Sequence, residues 1–77
     1  MCEERDMNEK KIGRHLAQLR KQKGMTQADM AHQLHITPQA ISKWERGKSM
    51  PTFALLLRVC TLLDTSPDAL FAIARNE

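Results

Sequence analysis

The stretch Thr37-Pro38-Gln39-Ala40-Ile41-Ser42-Lys43-Trp44-Glu45-Arg46-Gly47 decides the architecture. Thr37 offers a hydroxyl to the unpaired N–H groups of a helix start, and Pro38 falls at the first helical position, where its missing N–H is no loss. Gly47 accepts the left-handed backbone that ends a helix. Between these signals Ile41 and Trp44 share one face at a spacing of three, which leaves Gln39, Ser42, Lys43 and Arg46 on the others. The expectation is a short helix over residues 38–46 with an apolar inside and a polar, basic outside. A residue that precedes proline is pushed out of the helical region, so the helix before it must stop short of Thr37.

Working toward the N-terminus, Thr26 caps a helix in which Met30, Ala31 and Leu34 form one face. Its capping box is weak, because Asp29 rather than Glu stands in the third position. About three residues, His35 to Thr37, then join the two short helices. Further upstream, Asn8 caps a longer helix carrying Ile12, Leu16 and Leu19, and Gly24 terminates it. On the other side, Pro51-Thr52 opens a fourth helix through Phe53, Leu56, Val59, Cys60 and Leu63. Ser66-Pro67-Asp68 opens a fifth with Leu70, Phe71 and Ile73 inside. No segment alternates with the period of two that a strand requires. The expected fold is all-α, a compact five-helix bundle over residues 9–73, flanked by tails at 1–8 and 74–77. Its core comprises Ile12, Leu16, Leu19, Met30, Ala31, Leu34, Ile41, Trp44, Phe53, Leu56, Val59, Cys60, Leu63 and Leu70.

Seventy-seven residues make one small domain at most. With 42% apolar and 27% charged residues the chain is not disordered, and no apolar run, Phe53 to Leu57 included, comes near the roughly 20 residues that cross a bilayer. The opening Met-Cys-Glu-Glu-Arg-Asp is acidic where a signal peptide places positive charge, so the expected compartment is the cytoplasm. Cys2 and Cys60 are expected to stay unpaired there, Cys60 as an inert core thiol. His15, His32 and His35 invite a metal reading, but no Cys-x-x-Cys pair accompanies them and they are expected to be solvated. Ser, His and Asp are scattered, with no glycine-rich loop and no cleft for catalysis. No enzyme, cofactor or metal is expected, and no membrane or small-molecule partner.

The net charge of +3 conceals its distribution. Residues 10–58 hold ten basic side chains against Asp29 and Glu45, a net of +8, while residues 1–9 and 59–77 carry −3 and −2. Charge concentrated in this way suits a polyanion; a solvated helix face is the alternative.

Two short helices on a tight joint, preceded by a longer basic helix, describe a helix-turn-helix. Gly24-Met-Thr-Gln27-Ala-Asp-Met-Ala31, then Ile36-Thr-Pro-Gln-Ala-Ile41-Ser-Lys-Trp-Glu-Arg-Gly47, and Pro51 closely resemble the phage-repressor and Cro-type helix-turn-helix family, the XRE-like regulators. The resemblance spans about residues 9–71. It implies a lambda-repressor-like domain whose third helix lies in the major groove of double-stranded DNA, with Pro38, Gln39, Ser42 and Lys43 toward base edges. Gln39 can pair with adenine and Lys43 with guanine acceptors. Family members often place an amide side chain where this chain has Pro38, so readout shifts toward Gln39, Ser42 and Lys43. The resemblance also implies phosphate contacts from Gln27 at the start of the second helix and from Arg46, Lys48 and Ser49 after the third. Lys10, Lys11 and Arg14 stand farther off. An Arg20–Glu45 ion pair is implied as an architectural lock, and Trp44 as a packing anchor.

The expected function is therefore sequence-specific DNA binding by a transcriptional regulator, a repressor in the first instance, on a palindromic operator. Leu55, Leu56, Leu57, Leu62 and Leu63 put apolar side chains all round the fourth helix, more than one core-facing stripe uses. A homodimer is expected to take up the excess, with Leu55, Leu62, Leu70, Phe71 and Ile73 at its interface. The rival reading is a protein-interaction module, an antitoxin-like protein or scaffold that keeps the fold without base readout. The polar and basic outside of the third helix suits DNA better. Glu77 follows soon after the fifth helix, which is compatible with a minimal protein or with the DNA-binding part of a longer regulator.

Overall fold

The computed structural model describes residues 9–75, with side chains through Ala72. Helices α1 (Glu9–Gln22), α2 (Gln27–Leu34), α3 (Pro38–Glu45), α4 (Phe53–Leu62) and α5 (Pro67–Arg75) follow one another, with no strand among the described residues. The Asn8 cap and Cys2 lie outside the described residues. α3 ends one residue before the expected boundary and α5 runs two residues beyond residue 73, ordinary latitude for helix ends.

Four helices open on a hydroxyl. Thr26, Thr37 and Thr52 accept hydrogen bonds through their side chains from the N–H groups of Asp29, Ala40 and Leu55, and Ser66 does the same for Ala69. Each such cap contributes about 1 kcal/mol. At α2 the box is complete in spite of the shorter acid: Asp29 Oδ2 accepts the Thr26 N–H at 3.0 Å while Thr26 Oγ1 accepts the Asp29 N–H at 3.0 Å. The Thr26 backbone and side-chain hydrogen bonds hold the Asp29 carboxyl below its ordinary value.

Four helix ends close through a residue with positive φ, and only two of these are glycine. Gly24 and Gly47 stand at φ 73° and 75°, but His35 and Asp64 adopt φ 60° and 58°. The pattern is shared: the N–H after each turns back to a carbonyl five residues earlier, from Met25 to Arg20, Ile36 to Ala31, Lys48 to Lys43 and Thr65 to Cys60. At His35 and Asp64 the closure is made without glycine's freedom.

The core gathers Ile12 and Leu16 of α1, Met30, Ala31 and Leu34 of α2, and Ile41 and Trp44 of α3. Leu56, Val59 and Cys60 of α4, Leu63 at its end and Leu70 of α5 complete it. Trp44 is 5% exposed. Burial pushes the Cys60 thiol upward in pKa. Two expected core positions differ. Leu19 is only half-buried against the cluster, and Phe53 is 67% exposed. Phe53 heads the i, i+4, i+8 row with Leu57 and Thr61, and that row faces solvent while Leu56, Val59, Cys60 and Leu63 turn inward.

Leu70 requires a correction. It is 0% exposed inside the single chain, so it has no surface to offer a second copy. Spaced seven residues beyond Leu63, it completes the core beneath the other helices. Leu55, Leu62 and Phe71 are half-buried against the core, and the Ile73 side chain lies outside the described residues.

α1 and α3 approach through Gly13. A Cβ there would fall on the Trp44 carbonyl oxygen and lie 2.9 Å from that of Glu45, closer than atoms can stand. The missing side chain brings the basic first helix directly against the back of α3.

Candidate nucleic-acid interface

The outside of α3 follows from its inside. With Ile41 and Trp44 buried, helical geometry turns Gln39 and Lys43 to solvent, with Ser42 half-buried beside them and Pro38 exposed at the first position of the helix. Arg46 at the C-cap is exposed, and its Nε donates to the Ser42 carbonyl at 3.3 Å. Lys48 is exposed and Ser49 half-buried in the loop that follows. These positions occupy one element and the loop leaving it.

Glu45 is the one carboxylate on α3, and it is engaged. Arg20 reaches it from α1, with Nε 2.6 Å from Oε2 and Nη2 3.2 Å from Oε1. Both side chains are 9% exposed. The remaining Arg20 nitrogen, Nη1, donates to the Met25 carbonyl at 2.7 Å. The guanidinium therefore ties α1, the α1–α2 turn and the end of α3 together in one charge-assisted network. Gln27 also joins it: its Nε2 donates to Glu45 Oε1 at 2.9 Å. No buried side-chain nitrogen or oxygen among the described residues is left without a partner. The negative charge of Glu45 is thus offset locally, and the face beside it presents cations and neutral donors.

The structure brings Arg20, Gln27 and Glu45 into direct contact and sets Ser42 and Arg46 next to them. Pro38, Gln39 and Lys43 stand outward on α3 without touching that network. The sequence reading misses Gly13, Gln18 and Lys21. Gly13 carried a legible signal, a glycine inside a helical pattern. Gln18 and Lys21, together with Arg14, line an open groove of ≈ 630 Å³ that they share with Gln27, Ser42, Glu45 and Arg46. Their spacing of four and three was readable as one face of α1; the groove, formed by packing against α3, was not. The histidines do not converge: His32 and His35 are exposed, His15 is half-buried, and the described residues hold no cluster of three potential metal ligands.

The family profile for helix-turn-helix proteins matches residues 16–70, which takes in the capped α2–α3 pair and the network beneath it. The chain belongs to the phage-repressor type of the helix-turn-helix family. The helix-turn-helix regulator YqaE of Bacillus subtilis is 39% identical over 62 residues, covering 80% of this chain and 53% of its own length. The transcriptional activator BcrR of Enterococcus faecalis is 39% identical over 57 residues, covering 74% of this chain and 28% of its own. The chain thus spans about half the length, or less, of these two relatives. Among solved structures, the P22 c2 repressor bound to a synthetic operator aligns with TM-score 0.74 and 32% identity, over 78% of this chain and 91% of that one. The same helix-turn-helix unit also occurs within a larger enzyme. Hydroxypropylphosphonic acid epoxidase from S. wedmorenis aligns with TM-score 0.76 and 30% identity, over 84% of this chain but 35% of that one.

Proposed function

We propose that the chain binds double-stranded DNA sequence-specifically as a transcriptional regulator, a repressor on a palindromic operator, with no catalytic role. One observation carries this reading: the solvent face of α3 offers Gln39, Lys43 and Arg46 while the only acid of that helix is held by Arg20 and Gln27. Such a face matches the acceptor-rich edge of the major groove and the phosphates that border it. Gln39, Ser42 and Lys43 read base edges, and Pro38 rests against a thymine methyl. Gln27, Arg46, Lys48 and Ser49 position the protein on phosphates, Gln27 exchanging or sharing its Glu45 bond when it does so.

One helix of eight residues reads only a few base pairs, so two copies on half-sites about 34–36 Å apart supply the affinity. Leu55, Leu62, Phe71 and Ile73 remain the proposed dimer contacts, and α4 exposes two further apolar side chains, Phe53 and Leu57. The cytoplasm is the proposed compartment; no helix among the described residues is long and apolar enough to cross a membrane. Selection of bound duplexes from random DNA tests the reading. A recovered palindrome supports it, and an unenriched pool overturns base readout in favour of a protein-interaction module.

A further inference from the structure

Resting on the DNA reading above, we infer that the outer face of α1 forms a second phosphate wall, with Arg14 and Lys21 holding the DNA strand on the far side of a groove from Arg46. Arg14, Gln18 and Lys21 recur at intervals of four and three, so they stand in one row along α1. All three are exposed, and the row lines the groove that Gln27, Ser42 and Arg46 close from the opposite side.

Charge selects the occupant. No Asp or Glu occurs between Lys10 and Ala28, so nothing on the facing length of α1 opposes a polyanion. The single acid in the groove, Glu45, already accepts from two Arg20 nitrogens and from Gln27. What remains is cationic on both walls, with amide and hydroxyl donors between: Arg14 and Lys21 on α1, Arg46 on α3, and Gln18, Gln27 and Ser42. Arg46 is oriented there by its Nε bond to the Ser42 carbonyl. The geometry also fixes which anion enters. The groove adjoins α3 along Ser42 and Arg46, so a helix lying in the major groove brings the bordering phosphodiester strand alongside it. The contact is to backbone and carries affinity rather than sequence preference.

The test is a salt titration of operator binding for the full chain and for Arg14→Gln, Lys21→Gln and the control Arg58→Gln. Arg58 lines a different cleft, with Leu57, Thr61 and Leu62 on α4. Each α1 variant is expected to make the slope of log affinity against log salt about one unit less negative per protomer. The base sequence selected should stay the same, Lys21→Arg should keep the unmodified slope, and Arg58→Gln should leave it unchanged. A steep unmodified slope that neither α1 variant moves overturns the second wall alone. A flat slope for the unmodified chain overturns the DNA reading on which it rests.

Discussion

Arg20 and Glu45, 25 positions apart in the chain, meet in a two-point contact of 2.6 and 3.2 Å that fixes α1 to the C-terminal turn of α3. Its desolvation cost is offset by the further bonds to the Met25 carbonyl and the Gln27 amide. Removing one partner strands the other.

Arg20→Met is therefore expected to destabilise the fold by about 3 kcal/mol, because the Glu45 carboxylate would be left nearly buried without its cation. Arg20→Met combined with Glu45→Leu should recover much of that loss. Urea denaturation of the two single variants and the double variant measures it; a double variant no more stable than Arg20→Met contradicts the account.

Gly13→Ala places a methyl where the Trp44 and Glu45 carbonyl oxygens stand. The helices must part, at a cost of about 1–3 kcal/mol, even though alanine has the better helix propensity. A thermal midpoint equal to or above that of the unmodified protein would show that the α1–α3 approach is looser than described.

His35 carries positive φ with a β-carbon. Replacement by Gly removes strain of roughly 1 kcal/mol but adds freedom to the unfolded chain, for an expected net gain of about 0.5 kcal/mol. Gly47→Ala should go the other way, since it meets both the strained φ and the Lys10 stem. Equal effects at the two sites would sink this reading of the helix ends.

The capping box makes stability depend on acid. Asp29 has its carboxyl pKa lowered from 3.8 by the Thr26 hydrogen bonds, so the folded state favours the ionised form. That contribution is present above the unfolded value and is lost as pH falls through the lower folded value. Asp29→Asn should lessen the decline in stability below about pH 4, a window set by that ordinary carboxylate value. Chemical denaturation at a series of pH values checks it, and parallel profiles for the two proteins would contradict it.

Local signals in the sequence mark most of the helix boundaries. Threonine or serine three residues before a free N–H, and proline at the first turn, act within one turn of chain, so Thr26, Thr37, Thr52 and Ser66 are legible as starts. Periodicity likewise picks out Ile12, Leu16, Met30 and Val59, which are buried. Phe53 escapes such reasoning because an apolar residue at a helix N-terminus fits the inner stripe by spacing alone, and only the position of α4 on the bundle shows that its row faces out. Leu70 suits both the core and an interface by pattern; packing gives it to the core. The turns at His35 and Asp64 carry no glycine signal. The Gln27–Glu45 bond joins residues 18 apart and needs the α2–α3 crossing to exist before it can be seen.

The central claim, that the outer face of α3 reads DNA, is tested most directly by fluorescence-anisotropy titrations at fixed salt. The unmodified chain, Gln39→Ala and Lys43→Gln are each titrated on the selected operator and on a scrambled duplex of equal length. Each substitution is expected to weaken operator binding by about 1–3 kcal/mol, roughly 5- to 150-fold. Gln39→Ala should leave the scrambled duplex unaffected, and Lys43→Gln should weaken it only slightly. Operator and scrambled duplex bound equally well by the unmodified chain, or operator affinity unmoved by both substitutions, would contradict the claim.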